Sequence, residues 1–132
     1  MAALAAPLWA GGCMPVETRP YNNASAMVHQ LNESDNGRAV ELHPGEKVRI
    51  TLPENASTGY RWQVERFDRD VIGVVAEEPH YPSGPPGTGG HMDFVFEGRK
   101  TGSCELVLKE WRDWQGDSSI IARFHLNVKV LP

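Results

Sequence analysis

The chain has 132 residues, with 13 lysines and arginines against 17 aspartates and glutamates and a formal net charge of −4. A single domain of that length buries about two thirds of its unfolded surface, so it requires no disulfide or metal staple. The acidic balance and scattered basic residues exclude the clustered positive field that nucleic-acid binding demands.

Residues 1–13, MAALAAPLWAGGC, are mostly apolar and end in small residues directly before Cys13. This stretch resembles the end of a bacterial lipoprotein signal with a weak lipobox, Ala10-Gly11-Gly12-Cys13, although it lacks a basic start and is far too short to span a bilayer. It implies export, to a periplasm or into the medium, with a lipid on Cys13 as a membrane tether. The competing reading is an Ala/Gly-rich leader with no such role. Residues 14–26, MPVETRPYNNASA, follow neither helical nor strand period and read as a linker. Leader and linker thus occupy 1–26 and the folded domain 27–132.

From Met27 onward the dominant period is two, the mark of strands with one buried face. Val48, Ile50 and Leu52 alternate with Lys47, Arg49 and Thr51, and Tyr60, Trp62 and Val64 with Arg61, Gln63 and Glu65. Met92, Phe94 and Phe96 form a third such row, and Cys104, Leu106 and Leu108 a fourth. The longest row is Ile120, Ala122, Phe124, Leu126, Val128 and Val130. Short segments at 27–31, 39–42 and 71–76 bring the total to about eight strands. Turn residues separate them at Asp35-Asn36-Gly37, His43-Pro44-Gly45, Pro79 to Gly90, Lys100-Thr101-Gly102 and Gln115-Gly116-Asp117. The pattern predicts an all-β, immunoglobulin-like antiparallel sandwich of seven to eight strands, with a small barrel as the alternative.

The segment GPPGTGG, 84–90, looks at first like a phosphate-binding loop. Such a loop needs a lysine, a hydroxyl residue and a following helix, whereas here Gly90, His91 and the strand-like MDFVF occupy those places. The five histidines form neither HxH nor HExxH, and Cys13 and Cys104 show no paired spacing, so no metal and no cofactor is expected. There is no GxSxG either, and Cys104 lies in a core register, so the chain reads as a non-enzyme.

Three loops remain. One is Asn55-Ala56-Ser57-Thr58-Gly59-Tyr60, in which Asn and Gly supply turn geometry and Ser and Thr supply exposed hydroxyls. Another runs from Pro82 to His91, stiffened by Pro85 and Pro86 and stripped of side chains at Gly87, Gly89 and Gly90, with Thr88 between. The last is Glu110 to Gly116, which sets Trp111, Arg112, Asp113 and Trp114 at a strand end. Trp and Arg are the residues most enriched at binding hot spots.

In this order the trio resembles the chagasin family of cysteine peptidase inhibitors, whose motifs are NPTTG[YF], GxGG and RP[WF]. The matches are NASTGY at 55–60, GTGG at 87–90 and RDW at 112–114, and the resemblance covers about 27–132. Ala56 and Asp113 stand where the family has proline, and Ser57 where it has threonine. The resemblance implies a monomeric, reversible, tight-binding inhibitor that occludes the cleft of papain-like, cathepsin L-like peptidases. It implies that the glycine loop, with His91 at its end, passes over the catalytic cysteine. Thr58 would then lie near the catalytic histidine, Trp114 on the primed side, and Arg112 in a hydrogen-bonding or stacking contact. The missing proline at Asp113 predicts a less rigid third loop. An exported immunoglobulin-like adhesion or carbohydrate-binding module is the alternative function.

Overall fold

The computed structural model describes residues 27–132 except Pro86; Cys13 and the leader and linker readings for 1–26 lie outside the described residues. Eight strands run in chain order: β1 Val28–Asn32, β2 Ala39–Leu42, β3 Lys47–Glu54, β4 Arg61–Arg66, β5 Ile72–His80, β6 Gly90–Gly98, β7 Gly102–Trp111 and β8 Ala122–Val130. They form two four-stranded sheets, β1-β3-β6-β5 and β2-β8-β7-β4. The all-β sandwich expected from the period-two rows is therefore present.

The inward rows of both sheets make one core. Val48, Ile50, Leu52, Ile72, Phe94 and Phe96 of the first sheet meet Leu42, Trp62, Leu106, Leu108, Phe124, Leu126, Val128 and Val130 of the second there, and Val71 joins the cluster. Phe67 adds an edge-to-face contact with Phe96 at 5.7 Å. Cys104 packs half-buried against this core, and burial raises its thiol pKa, in keeping with an unreactive side chain.

Three details depart from the sequence reading. The sheets are mixed, because β1 pairs parallel with β3 and β2 parallel with β8. The turn at Asp35-Asn36-Gly37 is accordingly a crossing from the edge of one sheet to the edge of the other, and no hairpin. It is held by a capping box between Asn32 and Asp35 and by Gly37 N–H donating to the His125 carbonyl at 2.7 Å. The second departure is that β5 continues to His80 and β3 to Glu54, through Pro79 and Pro53. Both prolines lie at sheet edges: β5 is an outer strand, and the β1 ladder stops at Asn32↔Thr51. The absent N–H thus breaks no rung. The third is that Asp93, placed outward by alternation, is buried, at 6% exposure.

Candidate functional site

The strand registers bring the three loops to one end of the sandwich. Glu54 at the end of β3 pairs with Gly90 at the start of β6, and His80 pairs with His91 across the same hairpin. In the other sheet Arg61 pairs with Trp111, and Glu110 with Ala122. The connections 55–60, 81–89 and 112–121 therefore emerge side by side.

The first loop is a 3₁₀ turn over Ala56–Thr58 capped by Asn55, whose side chain accepts from the Ser57 N–H at 3.1 Å and the Ser57 hydroxyl at 2.7 Å. Thr58 Oγ1 donates to the Asn55 carbonyl at 2.8 Å and accepts from the Tyr60 N–H at 3.3 Å. Gly59 closes the turn at φ 82°. Ser57 and Thr58 are exposed, as expected, and their hydroxyls donate within their own turn, which shapes the loop.

The middle loop turns where Thr88 N–H and Oγ1 both donate to the Pro85 carbonyl, at 3.1 and 2.7 Å, with Gly87 at φ 90°. A positive φ at the third position of a four-residue turn is what favours glycine there. Of the proline pair expected to stiffen this loop, Pro86 lies outside the described residues. The glycines differ in kind. A Cβ on Gly89 would meet nothing within 4 Å, whereas one on Gly90 would come within 2.5 Å of the His80 carbonyl oxygen and 2.8 Å of the Tyr81 ring. Gly90 and His91 are already strand β6; Gly90 is small because the hairpin stem demands it, and Gly89 alone of the two presents open, unadorned backbone.

The third loop consists of consecutive 3₁₀ turns, Asp113–Gln115 and Asp117–Ser119, joined at Gly116. Ser119 Oγ accepts from the Arg112 N–H at 3.0 Å and reaches the carbonyls of Arg112 and Gly116 at 2.9 and 2.7 Å. These bonds order the loop that lacks the family proline. Trp114 is 67% exposed, while the Trp111 indole is occupied by Gln63 and by the Lys109 ammonium 3.4 Å from its ring centroid.

Side chains tie the loops together. Arg112 donates from Nε and Nη2 to the Thr58 carbonyl at 3.1 and 2.9 Å, and its guanidinium lies 4.3 Å from the Tyr60 ring centroid. Trp114 covers Gly59 so closely that a Cβ there would sit 2.6 Å from the indole. Arg112 is therefore the brace between the first and third loops; its stacking partner is Tyr60 of its own chain. The middle loop is braced to the first through Tyr81, whose hydroxyl donates to buried Glu54 Oε2, while Glu54 Oε1 accepts from the Trp62 N–H at 2.6 Å. Arg61 lies 5.6 Å from the Tyr81 ring centroid. Neither Glu54 nor Tyr81 stands out in sequence; the sole hint is an acidic residue at an inward position of the β3 alternation.

Residues 41–128 match the chagasin family of peptidase inhibitors, I42. The chain belongs to that family. Membership in this inhibitor family agrees with the absence of a catalytic motif, and the order NASTGY, GTGG, RDW is its order of loops.

Individual relatives agree with the assignment. Chagasin of Trypanosoma cruzi is 28% identical over 109 residues, covering 79% of this chain and 99% of its own. Amoebiasin-1 of Entamoeba histolytica is 33% identical over 86 residues, 64% of this chain and 82% of its own. The crystal structure of a cysteine protease inhibitor from Entamoeba histolytica superposes with a TM-score of 0.70 at 21% identity, over 80% of this chain and 96% of that one. A further structure, PbICP-C in complex with falcipain-2, gives a TM-score of 0.59 at 20% identity, over 80% and 92% of the two chains. At those identities the structural likeness establishes the shared fold of this chagasin-family chain.

Proposed function

We propose that this protein inhibits papain-like cysteine peptidases by seating the 55–60, 82–90 and 112–116 loops together in the active-site cleft. The observation that carries the reading is the pre-formed wedge itself: three loops at one end, braced by Arg112 on Thr58, with the backbone around Gly89 bare at its middle. A backbone without Cβ atoms is the only chain that approaches a recessed nucleophile closely, so Gly89 passes over the catalytic cysteine. Thr58 faces the catalytic histidine and Trp114 packs on the primed side. Loops ordered before docking lose little entropy on binding, which favours nanomolar affinity through an interface of about 1,600 Å². Cathepsin L-like enzymes are the expected targets and a monomer the expected state. The leader 1–13 supports export, to a bacterial periplasm or the medium, with a lipid on Cys13 as tether.

Titrating papain and a cathepsin L-type enzyme with the purified protein tests this directly. Expected are competitive, reversible, stoichiometric inhibition and recovery of intact inhibitor. Inhibition that is weak, or that ends in cleavage at 87–90, rejects the proposal. Intact mass measurement of the protein from its native host reads the acylation of Cys13.

A further inference from the structure

The hairpin stem beneath the middle loop carries a cluster of His80, His91 and Asp93 that lies outside the apolar core. His80 and His91 face each other across β5 and β6, their rings stacked at 4.7 Å between centroids and 24° between planes. Both turn Nε2 toward the same oxygen, Asp93 Oδ2, at 3.0 Å from His80 and 3.8 Å from His91. We propose that His80, His91 and Asp93 form a binding site for a divalent transition-metal ion of the zinc class, closing the stem of the middle loop.

The chemistry of the donors fits that ion. Two imidazole nitrogens and one carboxylate oxygen suit zinc or cobalt, and a fourth position stays open for water. The three donor atoms lie within 4.8 Å of one another. Zinc bonds of about 2.0–2.1 Å place tetrahedral donors about 3.3 Å apart, so the half-exposed rings must swing out of their stack to aim both Nε2 atoms at the ion. The carboxylate is held in place, since Thr51 Oγ1 donates to Asp93 Oδ1 at 2.5 Å, while Oδ2, which accepts from Arg49 Nη1, faces the imidazoles. Hydrogen bonding to the far oxygen of a ligating carboxylate is the usual outer support of such sites.

Other charges facing the cluster are Arg49 on β3 and Glu78 on β5. Arg49 Nη1 lies 3.2 Å from Asp93 Oδ2 and 3.8 Å from Glu78 Oε1. The guanidinium therefore has a second carboxylate to hold when a metal takes Oδ2. Two carboxylates against one guanidinium leave the patch with one net negative charge while the imidazoles are neutral, the sign that attracts a cation.

The test uses the whole protein and the metal ion alone. Cobalt(II) titrated into the protein is expected to give saturable visible absorption at one equivalent with the intensity of a four-coordinate site, and zinc to displace it and raise Tm. The His80→Gln variant, altered at an exposed strand end, and Asp93→Asn, checked for folding by circular dichroism, are each expected to weaken binding by at least about tenfold. Absence of stoichiometric binding overturns the proposal. Binding that survives both substitutions also overturns it, because the ion then sits elsewhere. No peptidase enters the measurement, so failure here leaves the inhibitory reading intact, and loss of that reading leaves the metal site intact.

Discussion

Gly89 and Gly90 look interchangeable in sequence and carry different constraints. Gly89 has open space where a side chain would go, while Gly90 lies against the His80 carbonyl and Tyr81. Replacing Gly89 by tryptophan is therefore expected to leave Tm within a degree or two and to weaken peptidase inhibition by at least about a hundredfold, since bulk at that point blocks approach to the nucleophile. Gly90→Ala is expected to lower Tm as well, because backbone must move to admit the methyl group. Parallel melting and inhibition curves separate the two. Tyr81 offers a pH signature of the same stem. Desolvation, then its hydrogen bond to Glu54, raise its phenol pKa to about 12 from 10.0. The ring edge is accessible, with the residue 39% exposed, and the effect belongs to the hydroxyl end held at Glu54. Because the folded pKa lies above the unfolded one, this contribution to stability is complete below pH 10 and disappears as pH rises toward 12. Denaturant midpoints measured across that window are expected to fall more steeply for the wild type than for Tyr81→Phe.

At the scale of elements, the loops show how rigidity is reached without the family prolines. Asn55 and Arg112 sit at φ −110°, ψ 105° and φ −103°, ψ 109°, close to the extended region that a residue before proline prefers. Ala56 and Asp113 each open a 3₁₀ turn, where an N–H has no intrahelical partner. The backbone at both places is shaped for proline although the sequence has none. Asp113→Pro is therefore expected to stabilise by about 0.4–1 kcal/mol through the unfolded state, read as a rise in Tm, with inhibition maintained or tightened. The Arg112 brace behaves differently. Lysine cannot chelate the Thr58 carbonyl through two N–H groups while stacking on Tyr60, so Arg112→Lys is expected to raise the inhibition constant about tenfold with little change in Tm.

For the whole molecule, the two sheets share one apolar layer, and the loops are aimed only while those sheets stay packed. Phe94 lies in the central strand β6, fully buried and in register with Ile50. Phe94→Ala is expected to cost about 3–5 kcal/mol, a large share of the stability of a domain this size, visible as a shifted denaturant midpoint with an unchanged slope.

Much of this was legible in the chain because period-two alternation reports burial directly. Val48, Ile50 and Leu52, or Phe124, Leu126 and Val128, can satisfy water and core in only one way. The three loop motifs were legible because each is a local run of turn-forming and recognition residues, and they were enough to point to the family. Tertiary structure decided what depends on residues far apart in sequence. It paired β1 parallel with β3 and β2 parallel with β8, assigned Gly90 to the stem and Gly89 to the tip, and turned Arg112 inward onto Thr58, 54 positions away. It also drew His80, His91 and Asp93 around one point. Alternation tells a residue which face it occupies; only the register of neighbouring strands tells it what it faces.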